Sequence, residues 1–541
     1  MITATKWLAS RFENSRNYKI LLLLLFFFGI LSLSDESRAE DTFFTTYSLT
    51  VEGSQIDYLV EDLNNDGNND LLFFHLLKTG DKVSRMFSIF YQTQNGYAST
   101  ADQHFEIDKD AIVYFVSDVD PIPGKEILFF KSAGLFYYAA YSGKFELTPK
   151  LLIETDSMFK LPDASFMEHY KFARDLNDDN IDEILVPQFD GFAVYCRNTL
   201  GSYSLKSKLQ ARMQTNILSG RELSKYLVSS YSIPNIAVID YNNDKKKDIV
   251  FIQETHMSVF FQTNDLIFSN KEPAILKLAE KLTQAYALQI RNHNIYQRNR
   301  FKDKVGVRAL EDLNNDGLMD LIIENFSVTE SLFNPTKTLK VYFGRPVAGN
   351  PSRGAIFDKV PDNTIVTTGF PGRSKAVDLN GDNTKELLVP SVELGLFKII
   401  RIILSGEADV SVYVYKCNEK GIYNKDPDEE IRFSVDIDRK GRKIPVSSFT
   451  GDFNGDGKTD YLGSKDDAVV LVFNPGDGSL KSTPDVTFPA QIPENGLKVK
   501  PHYLNNDQFS DVIIVYNDST DKPSRPGKNV SVLINNNEKP N

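Results

Sequence analysis

The chain has 541 residues, of which 41% are hydrophobic and 12% aromatic, so its composition is that of a globular protein with several domains or one large repeat array. Its formal net charge of −12 has the wrong sign for binding nucleic acid through phosphate neutralisation, so we expect no nucleic-acid partner. Two cysteines are too few for a disulfide scaffold or a four-thiolate zinc site. Core packing or an oxygen-ligated metal must therefore stabilise the fold.

The N-terminus has the pattern of a secretory signal peptide, which we predict at residues 1–39. Basic residues precede an apolar run over residues 20–33, and Ser-Arg-Ala at residues 37–39 offers small residues at the −3 and −1 positions of a signal-peptidase site. An uncleaved membrane anchor is the alternative, but the run is shorter than the ~20 apolar residues that span a bilayer. We expect a mature chain from Glu40, without a membrane span, in the periplasm, at the cell surface or outside the cell.

A nine-residue motif recurs along the chain, with Asp, Asn, Asp and Asp or Glu at its first, third, fifth and ninth positions. Its copies begin at residues 62, 118, 175, 240, 312, 378, 452 and 503 and so form one array. The second copy has Ile122 at the fifth position, and the eighth begins with Tyr503. The six complete copies carry Asp62, Asn64, Asp66, Asp70, Asp175, Asn177, Asp179, Glu183, Asp240, Asn242, Asp244, Asp248, Asp312, Asn314, Asp316, Asp320, Asp378, Asn380, Asp382, Glu386, Asp452, Asn454, Asp456 and Asp460.

Each copy of the motif runs into a short apolar segment rich in β-branched and aromatic residues, such as residues 249–252, which predicts a buried strand. Later in most units an alternating strand leads to a Gly-x-aromatic or Gly-aromatic step, as at Gly96-Tyr97 and Gly421-Ile-Tyr423. Each unit thus has the length and strand content of a four-stranded propeller blade. We predict an all-β fold, with residues 40–541 forming one β-propeller domain of eight blades; seven blades are the alternative.

The two ends of the array indicate how the ring closes. The eighth unit ends with the strand at residues 530–534, one strand short of the pattern, whereas residues 42–49 precede the first motif and have strand composition. The N-terminal strand is therefore predicted to complete the last blade and to cover its open edge.

One segment departs from the strand pattern. Pro273 begins a stretch in which apolar residues recur at helical spacing, so that residues 273–291 are predicted to form an amphipathic helix inserted in the fourth unit. We expect this helix to pack on the propeller wall; docking of a partner is the alternative.

The oxygen-rich motif has the chemistry of a calcium loop. Alternate residues of a tight loop point inward, so the side chains at positions one, three and five converge, and the ninth carboxylate approaches from the strand. The loop is not an EF-hand, because it enters a strand and has no Glu at position twelve. The motif, the strand after it and the Gly-x-aromatic step resemble the FG-GAP/VCBS repeat family, whose members include the β-propeller heads of integrin alpha chains.

The resemblance implies several structural Ca²⁺ ions. Their ligands would be the 24 side chains of the six complete motifs, with the backbone carbonyl of position seven as a further ligand. The second and eighth motifs should bind calcium weakly or not at all. A literal Phe-Gly…Gly-Ala-Pro signature is not evident, and Lys245 replaces the turn glycine of the fourth motif.

The sequence contains no nucleophile elbow, phosphate-binding loop or HExxH motif. We therefore expect a secreted, calcium-stabilised module that binds a protein or glycan partner, for example in adhesion, without catalysis. A lyase-like, polysaccharide-active enzyme is one alternative, because similar calcium propellers occur in polysaccharide lyases. A scaffold subunit of an envelope or surface assembly is another.

Overall fold

The computed structural model describes residues 43–536, apart from 142, 220–226, 265, 269–272, 285, 291–302, 329–334, 351–352, 393–406, 419–420, 437–445, 478–480, 482 and 517–528. Its main sheets are eight blades arranged in a ring, so the predicted all-β propeller is confirmed, with eight blades and not seven. The predicted signal peptide at residues 1–39 lies outside the described residues. No helix among the described residues is long and apolar enough to cross a bilayer.

Each blade has four main antiparallel strands. In blades one to four they are Ser54–Glu61, Asp70–Thr79, Lys82–Phe90 and Gln103–Glu106; Val113–Ser117, Glu126–Lys131, Gly134–Tyr138 and Lys150–Glu154; Ala173–Arg174, Glu183–Gln188, Gly191–Arg197 and Tyr203–Gln210; Leu227–Ile239, Asp248–Ile252, His256–Phe260 and Ala274–Lys277. In blades five to eight they are Lys304–Glu311, Asp320–Ser327, Thr336–Tyr342 and Asn363–Thr368; Lys375–Val377, Glu386–Val392, Glu407–Tyr415 and Glu429–Asp436; Ser447–Gly451, Asp460–Lys465, Ala468–Val472 and Val486–Pro489; Val499–His502, Asp511–Val515, Val530–Asn535 and Phe44–Leu49.

Shorter elements extend this pattern. Glu168–His169 pairs in parallel with the first strand of blade two, Gln214–Ser219 and Tyr286–Ile290 pair with the first strand of blade four, and Phe370–Pro371 pairs with the second strand of blade six. One 3₁₀ turn is described, at Gly496–Lys498. The remaining short strands form hairpins after the third strand of four blades: Gln92–Thr93 with Gly96–Tyr97, Ala140–Tyr141 with Lys144–Phe145, Gln262–Asn264 with Ile267–Phe268, and Arg345–Pro346 with Ala355–Ile356.

The N-terminal strand closes the ring as predicted. Phe44 pairs with Asn535 and Leu49 with Val530, so the strand lies antiparallel to the third strand of blade eight over its whole length. Phe44 and Leu49 are buried, and Phe44 packs edge-on against Phe488 of blade seven. The two ends of the array are thereby joined in one sheet, which leaves Val530–Asn535 with a partner on both sides.

The predicted helix at residues 273–291 is wrong. Ala274–Lys277 forms the fourth strand of blade four, paired with His256 to Val259, and Tyr286–Ile290 pairs with Tyr231 to Pro234. The apolar residues that recur at helical spacing are distributed over two strands and the turn between them. Leu282 lies in that turn and is buried against the next blade. Without Ala274–Lys277 the third strand of blade four would have an open edge. Pairing with that edge stabilises the strand conformation more than the local sequence pattern stabilises a helix.

The apolar segments after the motifs are buried strands, as predicted. Every residue of Asp248–Ile252 and of Asp511–Val515 is buried, and neighbouring blades share the clusters that these strands form. The first strands of neighbouring blades lie next to each other: Tyr58 Oη of blade one is 3.0 Å from His502 Nε2 of blade eight. Because each motif joins the first strand of its blade to the second, the motifs lie together on one face of the ring.

Candidate metal centres in the blade loops

Three pairs of neighbouring motif loops are joined by the same backbone hydrogen bond on the face of the propeller. The backbone N–H groups of Asn69 and Lys125, each at the eighth position of its loop, donate to the carbonyl at the second position of the preceding loop, at 2.7 and 2.9 Å. Lys385 makes the same bond to Leu313 at 2.8 Å. In these three pairs the backbone of one loop is bonded directly to the backbone of its neighbour.

The second residue of every loop is a buried apolar or aromatic side chain, a feature that the sequence analysis missed although it recurs in all eight copies. Because this side chain lies in the core between blades, it fixes the start of the loop while the rest faces solvent. The eight residues, each no more than 1% exposed, are Leu63, Val119, Leu176, Tyr241, Leu313, Leu379, Phe453 and Leu504.

The backbone of the complete loops turns through left-handed conformations at the fourth and sixth positions. Glycine, Asn and Asp adopt a positive φ most readily, and they occupy eleven of these twelve positions. The exception is Lys245, with φ of 68°, for which the conformation costs roughly 1–2 kcal/mol. The residues are Asn65, Gly67, Asp178, Asn180, Asn243, Lys245, Asn315, Gly317, Gly381, Asn383, Gly455 and Gly457.

These turns bring the side chains of positions one, three and five together, as predicted. In the fifth loop Asn314 Nδ2 donates to Asp316 Oδ2 at 3.1 Å, and the Asp312 carboxylate accepts from the backbone N–H groups of Asp316 and Gly317. The amide-to-carboxylate bond recurs in loops one, three, four and six. Three oxygen-bearing side chains thus share one exposed concave turn.

The ninth carboxylate has a second role that the sequence analysis did not assign. One oxygen of Asp320 accepts from Leu313 N–H and the other from Gly344 N–H, both at 2.8 Å, and Asp320 is fully buried. The bond to the second residue is made in all eight loops, including the two incomplete ones, where the acceptors are Glu126 and Asp511. The other acceptors are Asp70, Glu183, Asp248, Glu386 and Asp460.

Burial raises the pKa of the Asp320 and Asp460 carboxyls to about 7, and the carboxylates at positions one and five of the same loops raise it further. Backbone N–H groups oppose the shift. The same causes raise the pKa of Asp70 to about 7 and that of Asp248 to about 6. Each complete loop therefore holds repelling acidic groups whose ionised forms a cation would favour.

The loop residues fit calcium by their chemistry. All the donors are oxygens of carboxylates or an amide, the set that Ca²⁺ prefers, and they stand on a loop whose turns are fixed by positive-φ residues. Among the described residues no three His, Cys, Asp or Glu side chains stand in a ready metal-binding group. The carboxylates at positions one and five accept backbone hydrogen bonds. The oxygen at position three belongs to an Asn, which is not one of these four residue types.

The Gly-x-aromatic step supports the loops. Its tyrosine hydroxyl donates to the carbonyl of the eighth loop residue in the same blade, which ties the connection between the third and fourth strands to the loop. Tyr97 and Tyr423 are 5% and 2% exposed, so these bonds are shielded from water. The pairs are Tyr97 with Asn69 at 2.6 Å, Tyr203 with Asp182 at 3.4 Å and Tyr423 with Lys385 at 2.7 Å.

Comparison with known proteins agrees with this architecture. Residues 452–514, which span the seventh loop and the start of the eighth unit, match the family described as the FG-GAP-like repeat. The chain carries an FG-GAP-like repeat. The matched segment contains the complete loop at Asp452 and the incomplete one at Tyr503. No curated protein matches the chain in sequence.

Three solved structures are similar to this propeller at low scores. An Agrocybe aegerita lectin that recognises non-reducing terminal N-acetylglucosamine is 13% identical, with 81% of this chain and 94% of the lectin covered and a TM-score of 0.35. Sqt1 from Chaetomium thermophilum is 9% identical over 90% and 99% of the two chains, with a TM-score of 0.38. A Lactobacillus plantarum protein is 10% identical over 81% and 98%, with a TM-score of 0.30. At these scores the likenesses carry no argument about function.

Proposed function

We propose that the chain is a secreted, calcium-stabilised propeller that acts as a non-enzymatic binding or adhesion module for a protein or glycan partner. The observation that carries the proposal is the ring of oxygen-rich loops on one face of a closed propeller. Each complete loop gathers oxygen ligands, and three pairs of neighbouring loops bond to each other through their backbones. Calcium in these loops would rigidify the whole face and so preorganise the connections that meet a partner.

Export is part of the proposal and is supported by the sequence of residues 1–39. Calcium affinities of extracellular modules are ~10⁻⁴–10⁻³ M, so weak loops of this kind are loaded outside the cytoplasm. N-terminal sequencing of the secreted protein should give Glu40 as the first residue. A start at Met1 would contradict cleavage.

The structure gives the enzyme alternative a candidate site, but its chemistry does not favour it. Tyr58 and His502 meet between the first strands of blades one and eight, and Lys500 Nζ lies 5.6 Å from the Tyr58 ring. Burial raises the pKa of Tyr58 far above its ordinary value and lowers the pKa of His502 to about 4. General acid and base groups work best with pKa values near the operating pH, so this pair is suited to a structural hydrogen bond.

The test is capture of partners on a glycan array and on a panel of extracellular matrix and surface proteins, with calcium and with a chelator. We expect saturable binding that calcium strengthens and no release of unsaturated sugars. A matched pair of variants tests whether capture depends on the complete loops. Asp456→Ala, in the complete seventh loop, should weaken capture, and Asp507→Ala, in the incomplete eighth loop, should not. Release of unsaturated sugars, or the absence of any calcium-dependent capture, would contradict the proposal.

A further inference from the structure

Four cationic residues lie close together where blade five meets blade six: Arg308 and Lys337 contact Ser374, and the charges of Arg308 and Arg373 act on Lys375. Arg308 comes from the first strand of blade five and Lys337 from its third strand, whereas Arg373 and Lys375 flank Ser374 in the chain. We call Arg308, Lys337, Arg373 and Lys375 the Ser374 cluster. The chain has a net charge of −12, so these four neighbouring cations make a region whose charge is opposite to that of the whole chain.

Neutral acceptors hold three of these cations in place. Lys375 Nζ donates to the carbonyl of Phe449 in blade seven at 2.9 Å. Lys337 Nζ donates to Ser374 Oγ at 2.9 Å, to the carbonyl of Gly372 at 2.8 Å and to that of Pro390 at 3.2 Å. Arg308 donates through two guanidinium nitrogens to the Ser374 carbonyl. The hydrogen bonds fix the positions of the positive charges but do not neutralise them.

A β-bulge places Arg308 in the cluster. In the pairing of the first and second strands of blade five, Val307 lies opposite Ile323 and Ala309 opposite Ile322, so Arg308 is the extra residue without a partner in the ladder. Bulges re-aim single side chains and occur often beside binding sites. Here the bulge accompanies an arginine aimed at the neighbouring blade, because its guanidinium bonds to Ser374 of blade six.

The charge of the cluster is not balanced within the described part of the chain. None of its four cations forms an ion pair with a described residue, and the carboxylate that acts on it is Glu324, whose buried Oε2 makes no hydrogen bond there. Burial lowers the pKa of Lys337 to about 8. Burial and then the charges of Arg308 and Arg373 lower the pKa of Lys375 to about 8.

We propose that the Ser374 cluster binds an oxyanion, a carboxylate or sulfate group, carried by the partner. Exposure rises across the cluster from Lys337, which is 1% exposed, to Arg373, which is exposed, so an anion can approach from the Arg373 side while the deeper cations supply fixed positive charge. Arginine and lysine N–H groups bind such oxyanions by charge-assisted hydrogen bonds. Assigning the anion to the partner rests on the proposed binding function, but anion binding itself does not.

Equilibrium dialysis of the full mature protein against inorganic sulfate and, separately, against glucuronate tests the site. Arg373→Gln should weaken binding of the preferred anion at least tenfold, and Lys375→Gln should do the same without abolishing cooperative melting. Lys208→Gln is the control, because Lys208 is exposed on blade three and its loss changes the net charge equally. The anion that binds more tightly identifies the group as sulfate or carboxylate.

Two results would overturn the site: no saturable binding of either anion by the unmodified protein, or equal binding by Arg373→Gln and Lys208→Gln. Either result leaves calcium-dependent partner capture on the array intact. Loss of that capture with anion binding preserved would instead contradict the proposed function alone.

Discussion

The Asp320 carboxylate accepts a hydrogen bond of 2.8 Å from the backbone N–H of Leu313, seven residues earlier in the chain. This bond closes the fifth loop through the protein's own groups, and its counterpart is present in the two incomplete loops. The loop motif thus contains two parts: an exposed cup at positions one, three and five, and a buried carboxylate at position nine that belongs to the scaffold.

The two parts should respond differently to substitution. Asp320→Ala leaves two buried N–H groups without acceptors, at about 1–3 kcal/mol each, so it should lower the melting temperature in calcium and in chelator alike. Asp316→Ala removes the exposed carboxylate at position five and its two hydrogen bonds, so it should lower the melting temperature much more in calcium than in chelator. Thermal melts of both variants under both conditions decide this; a purely calcium-dependent defect in Asp320→Ala would refute the scaffold role.

Removal of the N-terminal strand should open the ring. A chain that begins after residue 51 lacks the partner of Val530–Asn535, so that strand becomes an exposed edge that promotes aggregation or strand exchange. A chain that begins at residue 43 keeps the strand and is the control. Light scattering and melting of the two chains test this. A shorter chain that remains monomeric and melts with the control would contradict closure.

The hydroxyl of Tyr423 should affect the sixth loop although it is not one of the predicted calcium ligands. Tyr423→Phe removes the hydrogen bond to the Lys385 carbonyl while keeping the ring, and one such bond contributes about 1 kcal/mol. We expect a lower melting temperature and weaker calcium binding by the sixth loop. Tyr137→Phe on a half-buried tyrosine of blade two serves as the control. Equal calcium affinities of the Tyr423→Phe and Tyr137→Phe variants would refute a link between this hydrogen bond and the sixth loop.

Much of this architecture could be predicted from the sequence, because the residue types of the motif mark its structure. Asp and Asn at positions one, three and five indicate the exposed loop, and the β-branched run after them indicates the buried strand. The closing strand was predictable from the missing strand in the eighth unit. The segment from Pro273 was misread, since its spacing fits a helix and only the open edge of His256–Phe260 decides for a strand. The backbone bonds of Asp320 and the Ser374 cluster depend on contacts between segments distant in sequence, which periodicity does not encode.

Stabilisation by calcium should depend on pH. In the metal-free fold the ninth carboxyls, such as Asp320 and Asp460, have pKa values of about 7, above their ordinary values near 4. Between about pH 4 and pH 7 the metal-free fold therefore holds protons that the unfolded chain has already released. These bound protons stabilise the fold, and that stabilisation is lost as the pH rises through 7. Calcium favours the ionised form, so the rise in melting temperature at fixed free calcium should grow from pH 6 to pH 8. A constant increment would contradict these pKa shifts.

The number of calcium ions bound by the mature protein tests the account most directly. Equilibrium dialysis with ⁴⁵Ca²⁺, combined with melts in calcium and in chelator, should give six bound ions, one for each complete loop, and a melting temperature that rises with free calcium. A chain with Asp66, Asp316 and Asp456 replaced by Ala should lose three of them. No bound calcium, together with identical melting curves in calcium and chelator, would contradict the account.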